Sequence, residues 1–221
     1  MTFTSFYNII TESEKLRNKV YIIMKKKTLS YDVKKLTYLA LMTALVALFQ
    51  TIGMIIPIGF NVGAFSLVPI VIGGAMLGPA AGAWLGFSSA AVLIATNAVA
   101  PYYTISIFFT ILVVILKGVV SGWVAALVYM PLSKKNSLLA ITVSSVLCPV
   151  VNTSIFLVAC FTVFFPGLSA WAIEAGKDMI SFVFVTMVGI NFFVEVGICV
   201  LFAPIADRMI KLGSKMRHDK S

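Results

Sequence analysis

Residues 111–123 read ILVVILKGVVSGW, an apolar run with one lysine, Lys117, at its centre. A segment this apolar is typical of a helix inside a lipid bilayer, where a lysine at the midplane costs roughly 2.5–3.5 kcal/mol on insertion scales. Chains usually carry that cost only where the lysine has a partner or a function. The segment therefore predicts a membrane helix and marks Lys117 as a candidate functional residue.

The composition extends this interpretation to nearly the whole chain. Of the 221 residues, 60% are hydrophobic and 11% are charged, and the mean hydropathy is +1.03. Soluble globular domains carry about 25% charged residues. We therefore predict an all-α integral membrane protein with no separate soluble catalytic domain.

Six apolar segments are candidates to cross the membrane, since a ~30 Å hydrocarbon core needs about 20 residues of helix. Proline, glycine and basic residues separate these segments. The predicted helices are residues 36–56, 64–77, 80–97, 104–129, 137–165 and 178–204. Residues 56–61, 98–103 and 166–177 are predicted loops. Six crossings give one helical bundle with both termini on the same side of the membrane.

The net charge of +9 indicates topology rather than a nucleic-acid partner. Eight of the 17 lysines and arginines precede the first apolar segment, two form the pair 134–135 and five close the chain. Basic residues concentrate on the cytoplasmic side, so both termini and this pair are predicted to be cytoplasmic, where they would contact anionic membrane lipid. The predicted domains are a basic extension (1–33), a six-helix membrane domain (34–211) and a basic tail (212–221). Met24, followed by KKKTLSYDVKKL, is an alternative start to Met1.

The residues that common membrane enzymes need are missing from the sequence. The sole histidine is His218, so an intramembrane Ser–His pair or a His/Cys metal cluster cannot form. The sequence GKD at Gly176 lacks the upstream glycine and the Ser/Thr of a P-loop. We expect no enzymatic activity, no catalytic residues, no metal and no cofactor. Uphill transport would have to use an ion gradient or another subunit.

Polar residues at membrane depth indicate a candidate site. At 1.5 Å per residue, Lys117, Asn152 and Asn191 fall near one level of the fourth, fifth and sixth helices, and Glu195 lies one turn below Asn191. In one interpretation Lys117 pairs with Glu195 and the asparagines bridge helices. In the other, Lys117, Asn152 and Asn191 form the polar floor of a small-molecule pocket open to the outside. The two interpretations can coexist. The predicted residues at the mouth of this pocket are Phe60, Asn61, Tyr102, Tyr103 and Trp171.

Small residues recur at helical spacing, which lets helices approach closely. The glycine pairs are predicted to pack within the chain, and they are Gly74/Gly78, Gly82/Gly86 and Gly118/Gly122. A second set lines one face of the first helix beside the cytoplasmic boundary, where a partner could dock, and consists of Ala40, Ala44 and Ala47.

Taken together, these stretches resemble a known family over residues 34 to about 208. The segments that carry the resemblance are KKLTYLALMTALVAL, IPIGFN, SLVPIVIGGAMLGPAAGAWLG, LKGVVSGW and VVNTSIF. They are similar to the substrate-binding S components of energy-coupling factor (ECF) vitamin transporters. The resemblance implies capture of a vitamin or vitamin precursor outside the cell and delivery inward with a transmembrane T component and two ATP-binding subunits. It also implies that Ala40 and Ala44 contact the T component and that residues 57–66 act as a lid.

The cargo and some alternatives stay open at this point. Lys117 favours a carboxylate such as pantothenate, ahead of a pyridoxine-like or pyrimidine compound. The main alternative is a stand-alone ion-coupled carrier or channel, which is weakened because Glu195 is essentially the sole intramembrane acid. A structural or assembly subunit is a further alternative. In each case we expect a multi-pass protein of the bacterial cell (inner/plasma) membrane.

Overall fold

The structure is a computed structural model that describes residues 33–53 and 65–218, with only the backbone described for residues 190 and 212–218. The chain divides after Ala40 into two units. Of the first unit, the structure describes residues 33–40, which are helical.

Every regular element in the described residues is helical. The elements are α1 (Val33–Gly53), α2 (Leu67–Leu77), α3 (Pro79–Ala95), α4 (Ala100–Tyr103), α5 (Ile107–Ser133), α6 (Ser137–Phe161), α7 (Phe165–Glu174), α8 (Met179–Ser181), a π-helical segment (Phe182–Val188) and α9 (Gly189–His218). The predicted all-α class is therefore confirmed.

Four helices are long and apolar enough to cross a membrane: α1, α5, α6 and the continuous helical stretch Met179–Lys211. Helices α2 and α3 are also apolar but have only 11 and 17 residues. A straight crossing of a ~30 Å core takes about 20 residues. The length and composition of the described helices thus support an integral membrane protein with four clear candidate spans.

Two predicted boundaries differ from the structure because prolines occur inside the helices. Pro131 and Pro204 were predicted to end helices, but α5 continues to Ser133 and α9 continues past Pro204. Membrane helices tolerate proline because neighbouring helices satisfy the freed backbone groups. Beyond Pro204, the Asp207 carboxylate accepts a hydrogen bond from Ser137 Oγ at 2.5 Å and pairs with Lys211 Nζ at 2.6 Å. These contacts tie the C-terminal part of α9 to the start of α6.

The predicted loops also contain helix. Residues 166–177 are mostly α7, which carries Pro166 in its first turn, a favoured position because proline has no N–H to satisfy there. Residues 98–103 contain α4. Helix α5 begins at Ile107 rather than at 104, because Ser106 Oγ caps it by accepting a hydrogen bond from the Phe109 N–H. Helix α6 ends at Phe161 rather than at 165.

Helix α3 crosses α5 through two pairs of facing glycines. Gly82 faces Gly122, and Gly86 faces Gly118, so closely that a Cβ on any of the four would overlap the backbone carbonyl of its partner. These two glycine sets therefore pack within the chain, as predicted. Gly78 has a different role: its φ of 100° shapes the turn between α2 and α3, and no atom lies within 4 Å of where its Cβ would be.

Candidate functional site

A cavity of about 430 Å³ lies among the helices of the second unit. Its volume falls in the ~300–1,000 Å³ range of small-molecule pockets. Its wall is mixed, with polar and apolar surface in nearly equal shares, and its apolar side chains include Ile70, Val114 and Phe192. The polar or charged residues on the wall are Gln50, Ser66, Ser89, Tyr102, Thr110, Lys117, Ser121, Asn152, Thr153, Asn191 and Glu195.

The predicted floor residues come together on this wall. Lys117 is on α5, Asn152 on α6 and Asn191 on α9, and all three line the cavity. Counting residues along each helix predicted that the three side chains lie at a similar depth. In the fold, the helix faces that carry them all point into the cavity. Glu195, which the sequence suggested as a partner of Lys117, lines the same cavity.

The predicted mouth residues separate into three groups. Tyr102 lines the cavity, whereas Trp171 packs behind it with 5.9 Å between ring centroids. Tyr103 packs against the small core cluster around Val99 rather than on the cavity wall. Phe60 and Asn61 lie outside the described residues. The structure therefore brings one of the described aromatic mouth residues onto the wall and leaves two behind it.

The ammonium of Lys117 has an aromatic neighbour. Its Nζ lies 5.4 Å from the centroid of the Phe156 ring, within cation–π range. No N···O contact within 4.0 Å joins Lys117 to Glu195, so the direct ion pair is not formed in this structure. Both groups line the same cavity and interact electrostatically without forming a direct contact.

Tyr102 is the centre of the aromatic packing beside the cavity. Its ring lies 5.6–5.9 Å from the rings of Phe156, Phe164 and Trp171. Its carbonyl accepts a hydrogen bond from Thr110 Oγ1 at 3.1 Å, which ties α4 to α5. Burial raises the pKa of the Tyr102 phenol above its usual value. The side chain is therefore a neutral donor and acceptor at physiological pH.

A buried polar network on the cavity wall was missed by the sequence analysis. Gln50 Oε1 accepts hydrogen bonds from Ser66 Oγ and Ser89 Oγ, each at 2.9 Å. The three residues come from α1, from the turn before α2 and from α3, and all are buried. Contacts between separate helices produce no regular spacing in the sequence, so this network could not be predicted. A glutamine within an apolar helix was the one feature that could have indicated it.

The π-helical segment before α9 also contributes to the wall. Met187 and Val188 line the cavity from its last turn. π-Helical turns are rare and are frequent at functional sites. No sequence pattern indicated this segment, which was predicted as continuous α-helix.

The three predicted docking alanines differ in exposure. In the first unit, Ala40 is exposed. In the second unit, Ala44 is exposed and Ala47 is half-buried, and neither lines the cavity. Leu41 and Leu48 on the same part of α1 have about half of their surface exposed, at 54% and 52%. This stretch of α1 thus presents an apolar surface.

The apolar helices and the pocket between them are typical of a helical membrane protein that binds a small molecule. A comparison with known families identifies the class further. A family model described as "ECF transporter, substrate-specific component" matches residues 34–206. The match covers most of the chain, so the protein belongs to this family and is a substrate-specific membrane component of an ECF transporter. The resemblance seen in the sequence is confirmed. No curated protein and no solved structure gives a match.

Proposed function

We propose that this protein captures a vitamin or vitamin precursor from outside a bacterial cell and delivers it inward with an ECF T component and two ATP-binding subunits. The observation that carries this proposal is the 430 Å³ cavity with Lys117, Asn152 and Asn191 on its wall, in a chain of the ECF substrate-specific family. The sequence has no P-loop, so the partner ATPases would supply the energy.

The chemistry of the wall supports a polar ligand of vitamin size. Lys117 would donate to a carboxylate or a carbonyl, and pantothenate is the compound we favour. Asn152 and Asn191 each offer a donor and an acceptor and would orient the ligand. Apolar side chains around them would pack against its carbon skeleton. The predicted residues Phe60 and Asn61 would act at the mouth, and Tyr103 and Trp171 would support Tyr102 and its neighbours from behind the wall.

The experiment that tests this function is native mass spectrometry of the purified protein, followed by a thermal-shift screen of vitamins and their precursors. We expect a bound vitamin-sized mass or one strong stabiliser. A protein without bound ligand, which no compound stabilises, would count against vitamin capture.

We further propose that α2 and α3 also cross the membrane, giving six crossings with both termini in the cytoplasm. The positions of the basic residues support this topology. With the three native cysteines buried, membrane-impermeant thiol reagents should label Glu174→Cys in intact cells and should label Lys134→Cys only after lysis. Both replaced side chains are exposed. Labelling of Lys134→Cys in intact cells would reverse the topology.

The apolar surface of α1 is proposed as the docking face for the T component, through Ala40, Ala44 and Ala47. Ala44→Trp would place a large ring where two helices must approach closely, so co-purification with the T component should be lost. Ligand affinity should be unchanged, because Ala44 does not line the cavity. The control is Val158→Trp, at a position on α6 with 64% exposure, which should keep the complex intact. Equal co-purification of both variants would refute this docking face.

One observation favours a second candidate function. Glu195 lines the cavity, and an acid at membrane depth is typical of proton- or sodium-coupled carriers. Such a carrier would take up its substrate in vesicles that lack any ATPase, and an uncoupler would abolish that uptake. An ECF component would show no uptake under those conditions.

A further inference from the structure

Two opposite charges face one cavity without touching each other. Lys117 reaches the wall from α5 and Glu195 reaches it from α9. Among the residues that the structure describes, neither side chain has a hydrogen-bond partner. Lys117 Nζ lies over the face of the Phe156 ring and interacts with Glu195 only electrostatically, across the cavity. The ammonium has three hydrogens to donate, and the carboxylate can only accept.

Because neither group has a hydrogen-bond partner in the described part of the protein, a bound ligand has to supply one to each of them. Charged groups in apolar surroundings are costly unless something solvates or pairs them. In the free protein, water in the cavity can do so. A ligand that fills the cavity displaces this water and must replace its hydrogen bonds at both places. A ligand that satisfies only one charge leaves the other buried and unpaired, which weakens its binding.

The two charges also select against ligands of a single charge type. An anion attracted to Lys117 is repelled by Glu195 unless it carries a donor toward that carboxylate, and a simple cation meets the converse problem at Lys117. Such repulsion is a common source of specificity. Asn191 lies one helical turn from Glu195 on α9 and extends the polar surface on that side.

We infer that the ligand is dipolar: one end carries an anion or a strong acceptor that meets Lys117, and the other end carries an ammonium or an N–H or O–H donor that meets Glu195. This inference rests on the proposed function and narrows its substrate class. It assigns Glu195 a direct part in recognition, beyond a structural role as a partner of Lys117.

The test uses Glu195→Gln, which removes the charge and keeps the shape. Affinities of the wild type and the variant are measured by calorimetry in detergent for pairs of probes that differ in one group: pantothenate and pantothenol, pyridoxamine and pyridoxine, nicotinate and nicotinamide. Glu174→Gln is the matched control, since Glu174 is exposed on α7 and does not line the cavity. The melting temperature of each unliganded variant confirms that it is folded.

We expect the strongest wild-type ligand to carry both an acceptor and a donor, and its affinity to fall at least tenfold in Glu195→Gln and to stay the same in Glu174→Gln. Should Glu195→Gln not fold, the electrically neutral variant Lys117→Met/Glu195→Gln replaces it and should prefer pantothenol over pantothenate. A ligand whose affinity is the same with and without the Glu195 charge would overturn the dipolar inference and leave the proposed function standing. If no probe or other vitamin binds the wild type, the proposed function itself fails.

Discussion

Gly86→Ala is expected to destabilise the folded protein by about 3 kcal/mol, the upper part of the range for overpacked interiors. The new Cβ would overlap the carbonyl of Gly118 on the facing helix, and a backbone carbonyl cannot move aside as a flexible side chain can. Helices α3 and α5 would have to separate. The thermal unfolding temperature and the yield of monodisperse protein in detergent measure the effect.

The matched control is the same change at a glycine with free space. A Cβ at Gly197 on α9 meets no atom within 4 Å, and alanine stabilises a helix interior by roughly 0.5–1 kcal/mol relative to glycine. Gly197→Ala should therefore leave the unfolding temperature unchanged or raise it. If both variants are as stable as the wild type, the α3–α5 crossing is looser than the structure describes.

Lys117→Met is expected to weaken ligand binding by about 2 kcal/mol, or roughly thirtyfold, since hydrogen bonds to charged groups contribute about 1.5–3 kcal/mol. Methionine keeps much of the apolar stem that packs along the wall and removes the ammonium. The affinity for the ligand found by the screen, measured by calorimetry, gives the effect. Lys134→Met, at an exposed position in the turn between α5 and α6, should bind as the wild type does.

The double variant Lys117→Met/Glu195→Gln separates two roles of the lysine. Removing Lys117 alone leaves the Glu195 carboxylate on the wall without a nearby opposite charge, which destabilises the protein. The double variant should regain stability but not affinity if Lys117 meets the ligand. Recovery of full affinity would show that Lys117 acts only through Glu195.

The class of fold and the grouping of Lys117, Asn152 and Asn191 on one cavity could be predicted from the sequence for simple physical reasons. Apolar runs reveal membrane helices because each helix must cover the hydrocarbon core. Lys117, Asn152 and Asn191 could be placed together because the rise of an α-helix is fixed at 1.5 Å per residue. The position of a residue along its own helix can therefore be predicted from the sequence of that helix alone.

The direction in which each side chain points around its helix axis could not be predicted in the same way. Tyr102 and Tyr103 are neighbours in sequence, and successive side chains on a helix point about 100° apart, so only one of them reaches the cavity. Trp171 was placed at the mouth by loop position alone, whereas it belongs to α7 and packs behind Tyr102. The Gln50 network depends on which helices become neighbours, and a single sequence does not specify that.

The hydrogen bonds of Gln50 have a mechanical consequence. The side-chain oxygen of Gln50 accepts hydrogen bonds from the hydroxyls of Ser66 and Ser89. These two bonds connect α1 to the residue before α2 and to the middle of α3. A rotation of α1 about its axis would have to break both bonds, at about 1 kcal/mol each. Because all three residues line the cavity, such a rotation would also reshape its wall. A rotation of α1 would therefore change the volume available to a ligand.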